Sequence, residues 1–191
     1  MSTIRILAID PGCNCGYAVV DLEYPGPRVP VMHKAKRDTA GLWDLQQKRF
    51  EGAGMRFLRL KKFLQELNPD FVVYEQVNFP HKSTAAAALY WGMVSAITTF
   101  CEENGIAYAA IMTNDLKKRA TGKGGGKGTD KPAIVQAANS FFGISPPLDD
   151  TDSASNKDHN IADAMWLLQI ALEEYASVVR PKAEKLEDNS K

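Results

Sequence analysis

The run Ile4-Arg5-Ile6-Leu7-Ala8-Ile9 is almost continuously apolar, stops at Asp10 and is closed by Pro11-Gly12. A short run rich in β-branched residues, with Pro-Gly after it, predicts a strand. Being apolar on both faces, that strand belongs in the middle of a sheet rather than at its edge. Asp10 then falls where the chain leaves the core. An ionised carboxylate there is costly unless a cation faces it, and a metal ion is the usual answer.

A second segment has the same form. Asp70-Phe71-Val72-Val73-Tyr74-Glu75 reads as another buried strand ending in an acid. It follows a helical stretch, which predicts a strand parallel to the first and beside it, with Asp10 and Glu75 at one edge of the sheet. Between them, Gly16 to Asp21 reads as a strand joined to the first by a tight Gly/Asn turn, and Val29 to Lys36 as a third strand of the same meander. Leu42 to Leu67 carries apolar residues at helical spacing and predicts one long amphipathic helix, with Gly52 and Gly54 as points of bending and Asn68-Pro69 as its stop.

Ser83 to Asn104 predicts a helix of small and apolar residues, capped by Ser83 or Thr84 and stopped by Gly105, with a strand following over 106–112. A helix from Lys131, with Pro132 early in it, closes at Gly143. Ser145 to Lys157 reads as a polar, exposed loop, and a last helix runs from Asp158 to Val179. Residues 1–180 are expected to form one domain, and the charged stretch 181–191 a disordered tail.

In that last helix Asp163 sits between Ala162 and Ala164, small residues that would let the helix lie close to the sheet and aim an acid at Asp10. Residues three to four apart share a face, so His159 or Asn160 lies nearest over Asp163, while Asp158 reaches it only from the cap. Asn114 to Lys131 holds Lys117, Lys118, Arg119, Lys123, Lys127 and Lys131, interleaved with glycines and opposed only by Asp115 and Asp130. In a chain of formal net charge +0, this is the concentrated basic segment, with lysines suited to phosphates on an accessible backbone. No Ser or Thr follows its Gly-Lys pairs at the spacing a Walker A loop needs.

Cys13, Cys15 and Cys101 are an odd number with no signal peptide ahead of them, which predicts free thiols in a reducing cytoplasm. Cys13-x-Cys15 has no second pair to complete a zinc site. No unbroken apolar run reaches the roughly 18 residues of a membrane span, so no membrane partner is expected.

Four segments, in order, resemble the motifs of the RuvC-type Holliday-junction resolvases, nucleases of the ribonuclease H-like (retroviral integrase) superfamily. Ile6 to Gly12 with Gly16-Tyr17-Ala18 is similar to the first motif, and Asp70 to Val77 to the second. Asp115 to Lys118, then Thr121 to Gly124 and Lys131, resembles the basic segment; His159 to Ala164 resembles the last acidic motif. The family has an acid or a histidine three residues before the last aspartate, where this chain has Asn160, so Asp158, His159 and Asn160 stand as alternatives for a fourth ligand. The family's aromatic after the second-motif glutamate corresponds to Phe79, displaced by one position.

The resemblance implies an α/β, ribonuclease H-like fold: a mixed five-stranded sheet, with a three-stranded antiparallel meander plus parallel strands, flanked by helices. It implies an endonuclease that nicks four-way DNA junctions symmetrically, as a homodimer. Hydrolysis would use two Mg²⁺ ions, with Mn²⁺ as a substitute, since hard oxygen ligands select such ions. Asp10 would bridge them, with Glu75 on one ion and Asp163 plus Asp158 or His159 on the other. Phe79, Lys82, Lys117, Lys118, Arg119, Lys123, Lys127 and Lys131 are the expected DNA contacts. A nuclease for other branched DNA, flaps or RNA, and an inactive junction-binding module, are the alternatives; the intact Asp10, Glu75 and Asp163 argue against the last. An actin- or sugar-kinase-like protein needs a second phosphate loop and about twice this length.

Overall fold

β1 (Thr3–Asp10) lies at the centre of a five-stranded sheet of order β3-β2-β1-β4-β5. A computed structural model describes residues 3–23, 34–77, 83–153, 155–175 and 179. β2 (Asn14–Glu23) and β3 (Ala40–Asp44) extend the sheet antiparallel on one side of β1. β4 (Phe71–Gln76) and β5 (Ala107–Met112) extend it parallel on the other. This is the mixed α/β sheet expected from the sequence.

Alternation along β1 divides the core. Ile4, Ile6 and Ala8 join one buried cluster, and Leu7 and Ile9 join the other; successive side chains of a strand point to opposite faces. On the Ile4–Ile6–Ala8 face lie α3 (Thr113–Thr121), α4 (Lys131–Phe142) and α5 (Asp158–Glu174); on the other lie α1 (Met55–Leu67) and α2 (Thr84–Glu103). α5 is the buried helix of the first layer: from Ala164 to Leu172 every residue is buried, between the sheet on one side and α3 and α4 on the other.

Several elements differ from the sequence reading. The third strand is Ala40–Asp44, preceded by a 3₁₀ turn at Arg37–Thr39; residues 34–36 are irregular and 29–33 lie outside the described residues. Burial of Trp43 decides this, since its ring stacks on Tyr17 at 4.7 Å and on Phe63 at 5.0 Å, contacts a strand can make across the sheet and onto α1. The helix expected from Leu42 therefore begins only at Met55, after the Gly52–Gly54 break. The basic segment is not all open loop: its first part is α3, held by the buried Leu116 and ended by Gly122. Ser145 to Lys157 is also more ordered than expected. Leu148 is buried, its backbone paired both ways with the Asn139 carboxamide (2.8 and 2.9 Å), and the Asn156 amide donates to the carbonyls of Asp149 and Thr151. The last helix ends at Glu174 rather than Val179, and the expected tail 181–191 lies outside the described residues.

α2 corrects a further expectation. It runs from Thr84 to Cys101 without a charge and is long and apolar enough to cross a membrane by composition. Its inner side (Tyr90, Met93, Val94, Ile97, Phe100, Cys101) is instead buried in the second cluster.

One close approach couples the layers. A Cβ built on Gly16 would stand 2.0 Å from the Asn160 carbonyl oxygen, so α5 begins in direct contact with the β2 backbone. The Asn160 amide adds a hydrogen bond to the Asn14 carbonyl at 2.7 Å. Gly16→Ala should therefore force α5 off the sheet and cost ~1–3 kcal/mol as an overpacked core does. A chain of this size should then melt several degrees lower. An unchanged melting temperature would show that the contact is soft.

Candidate active site

Register brings the first two acids together. β1 and β4 pair in parallel with Ile9 opposite Tyr74, so Asp10 and Glu75 are the next residues out on neighbouring strands. Alternation sets their face. Asp10 continues the series Ile4, Ile6, Ala8, and Glu75 continues Phe71, Val73, all members of the cluster that packs on α5. Both carboxyls thus emerge under the first turns of α5, which carries Asp163. All three acids are half-buried.

Burial pushes the Asp10 carboxyl well above its ordinary range, the charges of Glu75 and Asp163 push it further, and a hydrogen bond with Glu75 adds to this; Lys131 pulls the other way. Asp163 is raised first by burial and then by Glu75, opposed by Lys131 and Lys117. Three carboxyls crowd together, relieved by two lysines. Lys131 opens α4, whose N-cap is Asp130 (Oδ1 to the Ala133 amide, 3.1 Å). The backbone of Glu75 is held from the opposite layer: the Tyr90 hydroxyl donates to its carbonyl at 3.0 Å and accepts from the Val77 amide at 3.2 Å.

The three alternatives for a fourth ligand are engaged elsewhere. Asp158 Oδ2 accepts from the Asp149 amide at 2.8 Å and anchors the 149–157 loop. Asn160 docks α5 on β2. His159 Nε2 lies 2.9 Å from Lys131 Nζ; burial, then Lys131 and Lys157, lower its pKa, so the neutral ring can accept the ammonium proton. Beside it lies a polar cavity of about 300 Å³ bounded by Asn14, Lys131, Ser153, Lys157 and His159.

The chemistry of the donor set fits a hard divalent cation: three oxygen acids that repel one another at a desolvated strand end. Among the described residues, no group of three or more His, Cys, Asp and Glu stands as a ready-made metal site. The acids meet through charge and one hydrogen bond. Cys15 packs in the opposite cluster with Leu7 and Ile9, and burial, then the Asp10 charge, raise its thiol.

Of the expected DNA contacts, Lys117 and Lys131 face the acids, and Lys118, Lys123 and Lys127 are exposed. Arg119 is turned onto Glu173 in a two-pronged ion pair (2.6 and 2.8 Å) and over the rings of Phe141 and Trp166. Phe79 and Lys82 lie outside the described residues. The docking role of Asn160 and the grip of Tyr90 on Glu75 were missed by sequence reasoning. Gly16, two residues from Ala18 on the α5 face of β2, was the available signal for the first.

The fold is shared with solved resolvases. Thermus thermophilus RuvC, in a complex with Holliday junction substrate, is similar with a TM-score of 0.63 and 19% identity, over 93% of this chain and 99% of that one. The Fowlpox virus resolvase, in a complex with substrate Holliday junction DNA, has a TM-score of 0.56 and 18% identity, over 89% and 97%. The yeast mitochondrial Holliday junction resolvase Ydc2 has a TM-score of 0.54 and 13% identity, over 91% and 82%. No protein-family model and no curated protein matches the sequence. The architecture is the ribonuclease H-like fold of the RuvC-type resolvases.

The raised acids have a consequence for stability. The folded protein holds these protons more tightly than the unfolded chain, so their contribution is fully present below about pH 4, the ordinary carboxylate value, and fades as pH rises through the raised values. In metal-free buffer between about pH 5 and 8, wild type should lose melting temperature relative to Asp10→Asn as pH climbs. Parallel profiles would mean that burial and the neighbouring acids do not raise the Asp10 carboxyl.

Proposed function

We propose that this chain is a structure-selective endonuclease that resolves four-way DNA junctions by paired nicks. The observation that carries the reading is the placing of Asp10 and Glu75 at one end of neighbouring parallel strands, with Asp163 of α5 near enough to feel their charge, on a fold shared with proteins solved on Holliday junction DNA. Asp10, Glu75 and Asp163 would hold divalent metal, Mg²⁺ or Mn²⁺, two ions per site. Such ions supply an activated water and charge relief at the leaving 3′-oxygen.

The rest falls to the protein's own side chains. Lys131 and Lys117 bring positive charge to the edge of the acid cluster, where a scissile phosphate must approach. His159, kept neutral, holds the Lys131 ammonium in place. Asp158 keeps the 149–157 loop folded at the head of α5, and we assign it a supporting role. Lys118, Lys123 and Lys127 meet backbone phosphates, with little sequence information in the contact. A four-way junction is two-fold symmetric and needs two opposed cuts, so a homodimer with one site per subunit suits it. The three thiols Cys13, Cys15 and Cys101, none of them in a disulfide, suit a reducing cytoplasm.

Cleavage of a labelled four-way junction beside duplex, flap and RNA–DNA hybrid, with Mg²⁺, Mn²⁺ or EDTA, tests the reading. Paired symmetric nicks, lost with EDTA, are expected. Asp10→Asn, Glu75→Gln and Asp163→Asn should each lower the rate by at least ~100-fold, more than a supporting residue of a metal site costs. Asp158→Asn should cost less, on the order of 10-fold, the low end of what a supporting residue costs. Preferential cutting of flap or hybrid would keep the chemistry and replace the substrate. Binding without cutting in either metal would make the protein an inactive junction-binding module.

A further inference from the structure

We infer that Lys34, Lys36 and Arg37 form a second contact for the backbone of duplex DNA, at the far end of a basic band that begins at the acids. The three cations are exposed and fall within four residues, opposed locally by Asp38. They are not on a loose strand of chain. Ala35 between them is buried, with its amide on Gln169 Oε1 of α5 (3.3 Å), and the Arg37 guanidinium donates to the Ala40 carbonyl at 2.8 Å. They border a groove of about 600 Å³ whose other wall is Phe142, Gly143 and Ser145.

Phe141 joins this cluster to α3. Lys34 Nζ sits 4.5 Å from the ring centroid and donates to the Phe141 carbonyl, while the Arg119 guanidinium sits 4.9 Å from the same ring. The band therefore runs from Lys131 and Lys117, beside the acids, through Arg119 and Phe141 to Lys34, Lys36 and Arg37. Two acids along its course are engaged, Glu173 by Arg119 and Asp150 by the Gln136 amide at 2.8 Å, while Asp38 lines the groove beside the three cations.

Length argues for duplex as the occupant. α4 spans the band from Lys131 to Phe142, which at 1.5 Å per residue is about 16 Å. That equals about five base pairs at 3.4 Å each. An arm leaving the acid cluster along α4 would present its backbone to the second cluster about half a helical turn away. Point charges on a rigid, shallow rim read backbone rather than bases.

This inference rests on the nuclease reading for its orientation, and the test separates the two. Binding of the full-length protein to a fluorescent four-way junction, and to plain duplex, is followed by anisotropy across a salt series, with cleavage assayed in parallel. For Lys34→Gln/Lys36→Gln, the slope of log Kobs against log salt should shrink by about 2, since each lost phosphate contact removes about 0.9. The loss should appear on junction and duplex alike. Lys62→Gln, on α1 across the sheet, should leave the slope unchanged, and thermal melts should confirm that both variants are folded. An unmoved slope in a wild type that cuts junctions overturns the second contact and leaves the nuclease reading standing. A reduced slope in a protein that cuts nothing does the reverse. Lost binding to polyglutamate with DNA binding intact would assign the groove to an acidic protein segment and overturn the inference.

Discussion

Gathering three carboxyls at the end of a parallel strand pair sets like charges against one another where water is scarce, and much of the surrounding structure answers to that. The strain arises from backbone pairing, because the β1–β4 register makes Asp10 and Glu75 neighbours whatever their side chains prefer. It is completed by α5, which must lie close enough to bring Asp163 over them. The compensating charge comes from outside the sheet, from Lys131 at the head of α4 and Lys117 in α3. A metal bound among the acids would change repulsion into coordination and would remove a cost that the metal-free fold carries.

Rigidity is the other requirement, and α5 supplies it. A helix buried on all sides over most of its length has no solvated face on which to roll. Its first turn is held at Gly16 and Asn14, and the loop before it is tied by Asn156 and Asp158. Asp163 is therefore carried on an element fixed at its head as well as along its body.

Much of this was legible in the sequence because it rests on local pattern. The buried strands ending in Asp10 and Glu75, the parallel pairing, the Ser83 cap and the helix bearing Asp163 all follow from periodicity and stop signals within a few residues. What could not be read depends on contacts between distant segments. Trp43 looks like one apolar position in a helical pattern until Tyr17 and Phe63 stack on it. Arg119 reads as one more phosphate-seeking cation until Glu173 arrives from the far end of α5. Asn160, His159 and Asp158 are adjacent in sequence, yet each turns to a different partner, because side chains on a helix diverge by about 100° per residue.

Tyr90 belongs to α2, on the opposite face of the sheet from the acids, yet its hydroxyl grips the backbone on both sides of Gln76. Its neighbour Trp91, in edge contact with it at 5.2 Å, is exposed at the outer surface of that helix. The sheet is thus a partition with a mechanical linkage through it. The position of the Glu75 backbone is set partly from a helix on the far side of the sheet, whose next residue meets solvent.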